Sequence, residues 1–464
     1  MIKKVFSILT WIVFIIIILI AITLTTTGIE TNKFNNFIEN KINQDSNKVN
    51  IKLDTIKFKF DIEKISLFLE AKNPKINYRD TFIPAKNIKV YLDFFSLINL
   101  DPKIKKMNIV LQEIDINQLK KLSSTIKPSN LKSFINNKIQ KGKLILNLEI
   151  YLNENNLLEN FIARGSVSKL NAEIINNFNI KKANFNFFAD KTDILVTNIF
   201  GELDIIKIKN GDLKLRLSPE ISLETNFQTN LKYNKKTYIN YDNLRKNLKY
   251  IEDLTALEAE LSNNLTINFD KTYKVKNYNY RNNGKILKAI FDFKKPVIYY
   301  LAEEKISQLL LVNSKINNNY SSRKIDTIIS GKYALNNSKL LPFNLKNITD
   351  RDLYNLELDF KYNKDFKIDF INYQKIKDSV ADIFINFEKK KKKIIIKKAN
   401  LREKNNLIAI EGIEFNKDKF LSLKKIKVKT LKDKKKNNDF SILYGKDIVI
   451  KGNLFDASNL PKLF

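Results

Sequence analysis

Apolar side chains recur along this chain at two different periods, and the change of period divides it. Val5 to Thr27 reads VFSILTWIVFIIIILIAITLTTT, 23 residues without a charge. About 20 apolar residues cross the hydrocarbon core of a bilayer as a helix, and a helix satisfies its own backbone in lipid. The run predicts a transmembrane helix over residues 5–27, with Val5, Trp11, Ile15, Ile18 and Leu24 among its anchoring side chains. Lys3 and Lys4 precede it, so the positive-inside rule makes residues 1–4 a cytoplasmic tip. The competing reading is a cleaved signal peptide. Against it, the run is longer than the usual signal core, and Thr25-Thr26-Thr27-Gly28 offers no small-residue cleavage site. Over residues 28–47, Phe34, Phe37, Ile38 and Ile42 fall at helical spacing and predict a short amphipathic helix at the membrane exit.

From residue 48 the period becomes two. Val49, Ile51 and Leu53 alternate with polar residues, and Ile56, Phe58 and Phe60 continue between lysines. Strands follow at Ile88 to Leu92 and Met107 to Ile116. A short helix is expected after Ser129, carrying Leu131, Phe134, Ile135 and Ile139 on one face and closed by Gly142. Leu144, Leu146, Leu148 and Ile150 then alternate cleanly, as do Leu213, Leu215 and Leu217, so residues 48–235 read as sequential strands. Residues 236–312 differ. Leu244, Leu248, Ile251, Leu254, Leu257 and Leu261 recur every three or four residues and predict a helix over 241–261, while Pro296 suits the start of another over 297–311. With a strand over 285–293, this stretch reads as a mixed helical insertion or cap. Strands resume over 313–464. There Leu356, Leu358 and Phe360 pass through Asn363-Lys364-Asp365 into a hairpin with Phe366, Ile368 and Phe370, and Lys389–Lys393 form the tip of another. The expected fold is mainly β: a transmembrane helix, then an extended, curled antiparallel sheet forming a groove, with a few short amphipathic helices.

Composition removes much chemistry. There is no Cys and no His, hence no disulfide or thiol chemistry and neither the commonest general base nor the commonest zinc ligand. The ten Gly never fall as G-x-G, so phosphate-cradling loops are excluded as well. Glu303-Glu304 or Asp350 with Asp352 could act as acid and base, but they read as solvated surface charge; no enzyme and no cofactor are expected. The net charge of +32 suggests nucleic acid only until its distribution is seen. Lysines alternate with apolar residues or gather at turns, an ordinary edge-protecting use. No nucleic-acid partner is expected, whereas anionic headgroups would attract each nearby Lys by ~1 kcal/mol.

A one-sided apolar sheet with few helices must remove that face from water, at ~25 cal/mol per Å². It can fold on itself, dock on a protein, or curl around something apolar. The tether and the unbroken run of strands favour the last. Taking a sixteen-carbon chain from bilayer to water costs about 13 kcal/mol, at ~0.8 kcal/mol per CH₂. A continuous apolar trough removes most of that cost without any reactive residue. Its expected lining is Val49, Ile51, Leu53, Phe58, Phe60, Leu144, Leu146, Leu148, Ile150, Leu213, Leu215, Leu217, Leu356, Leu358 and Phe360.

The order of parts resembles the AsmA/TamB family, within the repeating β-groove group of bridge-like lipid carriers. The likeness lies in the anchor Val5–Thr27, the opening strands Val49–Leu53 and Ile56–Phe60, the Asn73-Pro74-Lys75-Ile76 turn, and the phrase Ile450-Lys451-Gly452-Asn453-Leu454-Phe455-Asp456-Ala457-Ser458. The resemblance implies a single-pass inner-membrane anchor, a periplasmic β-groove and phospholipid movement toward an outer membrane, with no catalytic residues to carry over. In larger relatives more sheet follows that last phrase, a departure that fits a short member, one half of a split gene, or a segment whose bridge an outer-membrane or periplasmic protein completes. The alternative is a tethered scaffold that assists assembly of envelope proteins without conducting lipid.

Overall fold

The computed structural model describes residues 2–33, 35, 36, 39, 40, 49–63, 66–79, 81–93, 103–125, 128–153, 155, 157–175, 178–236, 252–297, 305–417, 419–445 and 447–459. The protein is mainly β. Twenty-six strands belong to one antiparallel sheet, which does not close into a barrel. Among the described residues the α-helices with defined bounds are α1 (Ile2–Thr25), α2 (Ile116–Thr125) and α3 (Asn130–Asn137). The chain divides into two compact units, residues 1–204 with 210–222, and residues 205–209 with 223–464.

Helix α1 is long and apolar enough to cross a membrane, and its apolar stretch is unburied. The hydroxyls of Thr23, Thr25 and Thr26 donate back to Leu19, Ala21 and Ile22 carbonyls, so they leave no donor unpaired in an apolar medium. Beyond it, Asn35, Asn36, Glu39 and Asn40 are helical, while the apolar positions Phe34, Phe37, Ile38 and Ile42 lie outside the described residues. Asn35 ties this turn to the sheet by donating to the Leu53 and Asp54 carbonyls at 3.1 and 2.7 Å.

In the first unit, β1 (Ile29–Thr31) pairs with β3 (Ile56–Asp61), which continues through β4 (Ser66–Lys72), β6 (Thr81–Leu92) and β7 (Ile104–Leu111). Next come β9 (Ile139–Leu152), β10 (Leu158–Ile175), β11 (Phe178–Ala189) and β12 (Asp193–Leu203). Two short strands, β2 (Val49–Lys52) and β5 (Lys75–Tyr78), form a second layer. The long β6 serves both layers, its first part bonded to β5 and its second to β4. Between the layers Ile51, Leu53, Ile76 and Ala85 meet Ile56, Leu69, Ala71, Ile88 and Val90 in a closed core. The Met107–Ile116 strand stops at Leu111; β8 (Ile114–Asp115) and α2 follow it. Ser129 caps α3 as its side chain accepts from the Lys132 amide. The helix ends at Asn137, so Ile139 and Gly142 belong to β9 rather than to a helix face and its stop.

β13 (Ile206–Arg216) and β14 (Ser222–Asn234) follow. The rest of the second unit corrects the expected helical insertion. Residues 237–251 and 298–304 lie outside the described residues, but Leu254, Leu257 and Leu261 are on β15 (Leu254–Phe269). Of the second expected helix, Val297 ends β16 (Val275–Val297) and residues 306–311 open β17 (Ile306–Ser321). The helical spacing has a physical source: the register shift between Leu254 and Ala256 leaves Thr255 as an extra residue on β15, so the inward position moves from Leu254 to Leu257, after which Leu257 and Leu261 keep the two-residue period. The sheet runs on through β18 (Lys324–Leu335), β19 (Leu341–Asp350) and β20 (Leu353–Tyr362). The expected hairpin after Tyr362 does not form. Instead β21 (Lys367–Ile368) and β22 (Tyr373–Gln374) make a small separate ribbon around a 3₁₀ turn, and β20 pairs with β23 (Ala381–Lys390). β24 (Lys393–Glu403), β25 (Asn406–Asn416), β26 (Lys419–Lys432), β27 (Lys435–Tyr444) and β28 (Ile448–Leu454) complete it. The hairpin with the basic tip at Lys391-Lys392 is as expected.

Candidate functional site: an apolar sheet face

Directly opposed residues of an antiparallel pair share a sheet face, so the registers trace which side chains form continuous rows. In the first unit Ile56, Ala71, Ile88, Ile109, Leu148, Ala163, Ala189 and Ile194 oppose one another strand by strand. A neighbouring row on the same face runs Phe58, Leu69, Val90, Met107, Ile150 and Phe161. The β2/β5 layer covers both rows at β3 and β4; farther on, Leu146, Leu148, Ile150 and Phe187 are only half-buried. The sealed core thus passes into an uncovered apolar face.

The second unit carries a longer version. Ile316, Ile329, Leu345, Leu358, Ile385, Ala399, Ile410, Ile426, Ile442 and Ile450 oppose one another from β17 to β28. Beside them run Phe343, Phe360, Ile383, Leu401, Ile408, Val428 and Phe440. No charged side chain enters either row. The opposite face is polar: Glu357, Asn386, Lys398, Glu411 and Lys425 form its matching row. A cavity of about 370 Å³ opens on that polar face, lined by Arg281, Asn283, Asn317, Asn319, Asp326 and Ile328, and is no apolar site.

One margin of this second face is covered. The segment between β20 and β23 lays Phe366, Ile371 and Tyr373 on Ile408, Val428 and Phe440. Its fixing groups are buried polar residues at the strand ends. Tyr373 Oη donates to Glu403 Oε2 at 2.7 Å, the Ile376 amide to Oε1 at 2.8 Å, Asn406 to Oε2 at 3.1 Å, and the Ser379 hydroxyl to Oε1. Asn438 donates to the Ile371 carbonyl and to Thr430, and Asp456, from the Gly452–Ser458 phrase, accepts from Asn372 and Asn437. Burial pushes the Glu403 carboxyl up, but its hydrogen bonds to Ser379, Tyr373, Asn406 and the Ile376 amide outweigh this and hold it below the usual carboxylate range. The Tyr373 hydroxyl is raised, by burial first and then by the carboxylate beside it.

On the polar face of the first unit, Lys106 and Glu149 pair at 2.5 Å, with Lys106 over the Tyr151 ring. Burial disfavours both charges, yet the mutual hydrogen bond and Tyr151 leave Glu149 lowered and Lys106 raised.

The expected lining residues divide. Ile51 and Leu53 are enclosed in the two-layer core instead of lining an open face, because β2 packs onto the sheet as a second layer. Val49 is on β2 and its side chain lies outside the described residues. Phe58 packs against that core and Phe60 follows it on the same strand, half-buried. Leu144, Leu146, Leu148 and Ile150 stand together on β9. Leu213 and Leu215 are half-buried on β13, and Leu217 falls just past its end. Leu356, Leu358 and Phe360 share one face of β20. Of the anchor residues, Trp11, Ile15 and Ile18 are exposed on α1, Leu24 is half-buried, and the Val5 side chain lies outside the described residues. Sequence reasoning missed the covering segment, because Phe366, Ile368 and Phe370 alternate like a strand. Comparison with family models, with curated proteins and with solved structures finds no match.

Proposed function

We propose that this protein is a membrane-anchored carrier whose apolar sheet face shields phospholipid acyl chains on their way between two membranes. The observation that carries this reading is the uncharged row from Ile316 to Ile450, half-buried over most of its length and continued side by side across successive strands. An acyl chain laid on it leaves water at ~0.8 kcal/mol per CH₂, while its headgroup stays at a margin. On this reading α1 is a retained single-pass anchor in the inner membrane with a cytoplasmic N-terminus, and the bulk of the chain is periplasmic. The chain would then be an AsmA/TamB-like protein. That affiliation is supported by the order of its parts and by the antiparallel sheet that follows the apolar helix.

A photo-crosslinking residue at Leu146 or Leu358 tests this, with Asn147 and Glu357 as polar-face controls. Phospholipid adducts are expected at the two leucines and not at the controls. Absence of lipid at both leucines, while a probe at Trp11 labels lipid, would sink the reading. A second reading, a scaffold for envelope proteins, is favoured by one feature. Strand β28 pairs with β27, and its residues, including Ile448 and Ile450 at 64% exposure each, stand in solvent. An exposed edge of that kind can accept a strand from another protein, and protein adducts at Ile450 with none of lipid at Leu358 would support it instead.

A further inference from the structure

From β15 to β19 the apolar face of the second unit is crossed by a stripe of amides. One row beyond Leu261, Gly284, Ile316, Ile329 and Leu345, the same face carries Asn263, Asn282, Asn318, Thr327 and Asn347, opposed strand by strand from β15 to β19. The next row returns to Leu265, Tyr280, Tyr320 and Ile325 from β15 to β18, and continues with Thr349 on β19. A polar stripe therefore lies between two apolar or aromatic ones.

The stripe has two halves. Toward β14 it is satisfied within the protein: Asn282 Nδ2 and Tyr280 Oη donate to Asn263 Oδ1 at 2.6 and 2.7 Å, and Asn263 Nδ2 donates to Thr229 at 2.9 Å. Toward β19 it is not. Among the described residues the Oδ1 atoms of Asn318 and Asn347 are buried acceptors without a hydrogen-bond partner, and Asn318 as a whole is 8% exposed. They sit two strands apart, about 10 Å at ~4.8 Å per strand, with Thr327 between them. Asn355 and Asn386 also carry unpartnered Oδ1 atoms, but those belong to the polar face, whereas Asn318 and Asn347 adjoin the apolar rows. Two unpaired acceptors on an apolar floor call for a donor from outside, since an unmet buried acceptor is costly.

We propose that Asn318, Thr327 and Asn347 form a headgroup station, which takes an amphiphile whose polar end carries O–H or N–H donors while its chains lie on the adjoining rows. This rests on the acyl-shielding reading. The selection would be for donors and not for charge, because no ionised side chain lies in the stripe.

The test uses the full chain in detergent, with a photo-crosslinker at Ile316, incubated with vesicles of phosphatidylethanolamine, phosphatidylglycerol or phosphatidylcholine of identical acyl chains. The first offers ammonium donors and the second hydroxyls; the third offers neither. Capture of the first two at least threefold above phosphatidylcholine is expected, with that preference lost in Asn318→Leu and phosphatidylcholine capture unchanged. Preference for only one donor-bearing lipid assigns the donor type and still supports the station. Equal capture of all three lipids, or a preference that survives both Asn318→Leu and Asn347→Leu, overturns the station while leaving the shielding face standing. No capture of any lipid, at Ile316 or at Leu358, removes both. Should Asn318→Leu fail to fold, Asn347→Leu gives the same readout from the other acceptor.

Discussion

Glu403 is the residue whose replacement should most selectively release the segment covering one margin of the second apolar face. Its two carboxylate oxygens accept from Tyr373, Ser379, Asn406 and the Ile376 amide, and it is 1% exposed. In Glu403→Gln one oxygen becomes an NH₂ that faces donors. The Tyr373 or Ser379 hydroxyl can turn to accept from it, but the Ile376 amide or the Asn406 NH₂ on that side cannot. One stranded donor costs ~1–3 kcal/mol, and the surviving bonds fall from the charge-assisted to the neutral range at ~1 kcal/mol each. The sum is about 3 kcal/mol, or roughly a hundredfold in a local opening equilibrium. Hydrogen exchange of the Ile376 amide and of the Lys375 amide, which donates to the Phe366 carbonyl, reads that opening directly. Both should exchange about a hundredfold faster in the variant, with β9 and β10 unaffected. Protection within a factor of about three of the wild type would refute the assignment of Glu403 as the fixing group. The pH dependence has a definite sign. Since the folded carboxyl is held below its ordinary value, its contribution is complete above the unfolded pKa, near ~4.3. It is lost only as pH falls through the lower folded value. Exchange corrected for intrinsic rate should be flat from neutral pH to about 5 and should loosen below that.

Other outcomes follow from the same geometry. Ile56, 1% exposed at the centre of the two-layer core, should cost ~2–5 kcal/mol when replaced by Ala, read as a lower urea midpoint of the first unit. Glu149→Gln leaves the half-buried Lys106 without its counter-charge and should cost about 3 kcal/mol, the low end for a buried pair. The wild type should lose that increment only in acid, as pH falls through the depressed Glu149 value. A Cβ at Gly452 would stand 2.4 Å from the Asp439 carbonyl oxygen and 2.5 Å from Phe440 Cα. Gly452→Val should therefore peel β28 from β27, seen as new proteolytic cleavage within 448–454 and intact protection of β24 and β25.

Much of this fold can be read from alternation alone. The strands around Leu146, Leu358, Ile385 and Ile410 keep a strict two-residue period, and the register rows preserve it. Reading failed where one residue more or less changed the parity. Leu254, Leu257 and Leu261 look helical because a bulge at Thr255 on β15 shifts the inward positions by one, and a sequence shows no sign of which residue is left unpaired. It failed differently at Phe366. There a local alternation is real, but its partner is the distant surface of Ile408, Val428 and Phe440, chosen by the buried Glu403 and Asn438 bonds. Ile51 and Leu53 were legible as inward-facing, yet whether inward means a closed core or an open face depends on the second layer that β5 and β6 build. The asparagine stripe was invisible for the same reason, as only registers across β15 to β19 align those residues.

The most direct measurement places a lone tryptophan on either face and asks whether acyl chains reach it. In a Trp11→Phe background, Leu358→Trp or Ile385→Trp reports from the apolar row, and Glu357→Trp or Asn386→Trp from the polar one. Phospholipids brominated on their acyl chains should quench the first pair strongly and the second pair little, with the protein held in detergent at low lipid excess. Equal quenching on both faces, or none at Leu358 and Ile385 while lipid remains bound at the N-terminal helix, would contradict an acyl-shielding sheet.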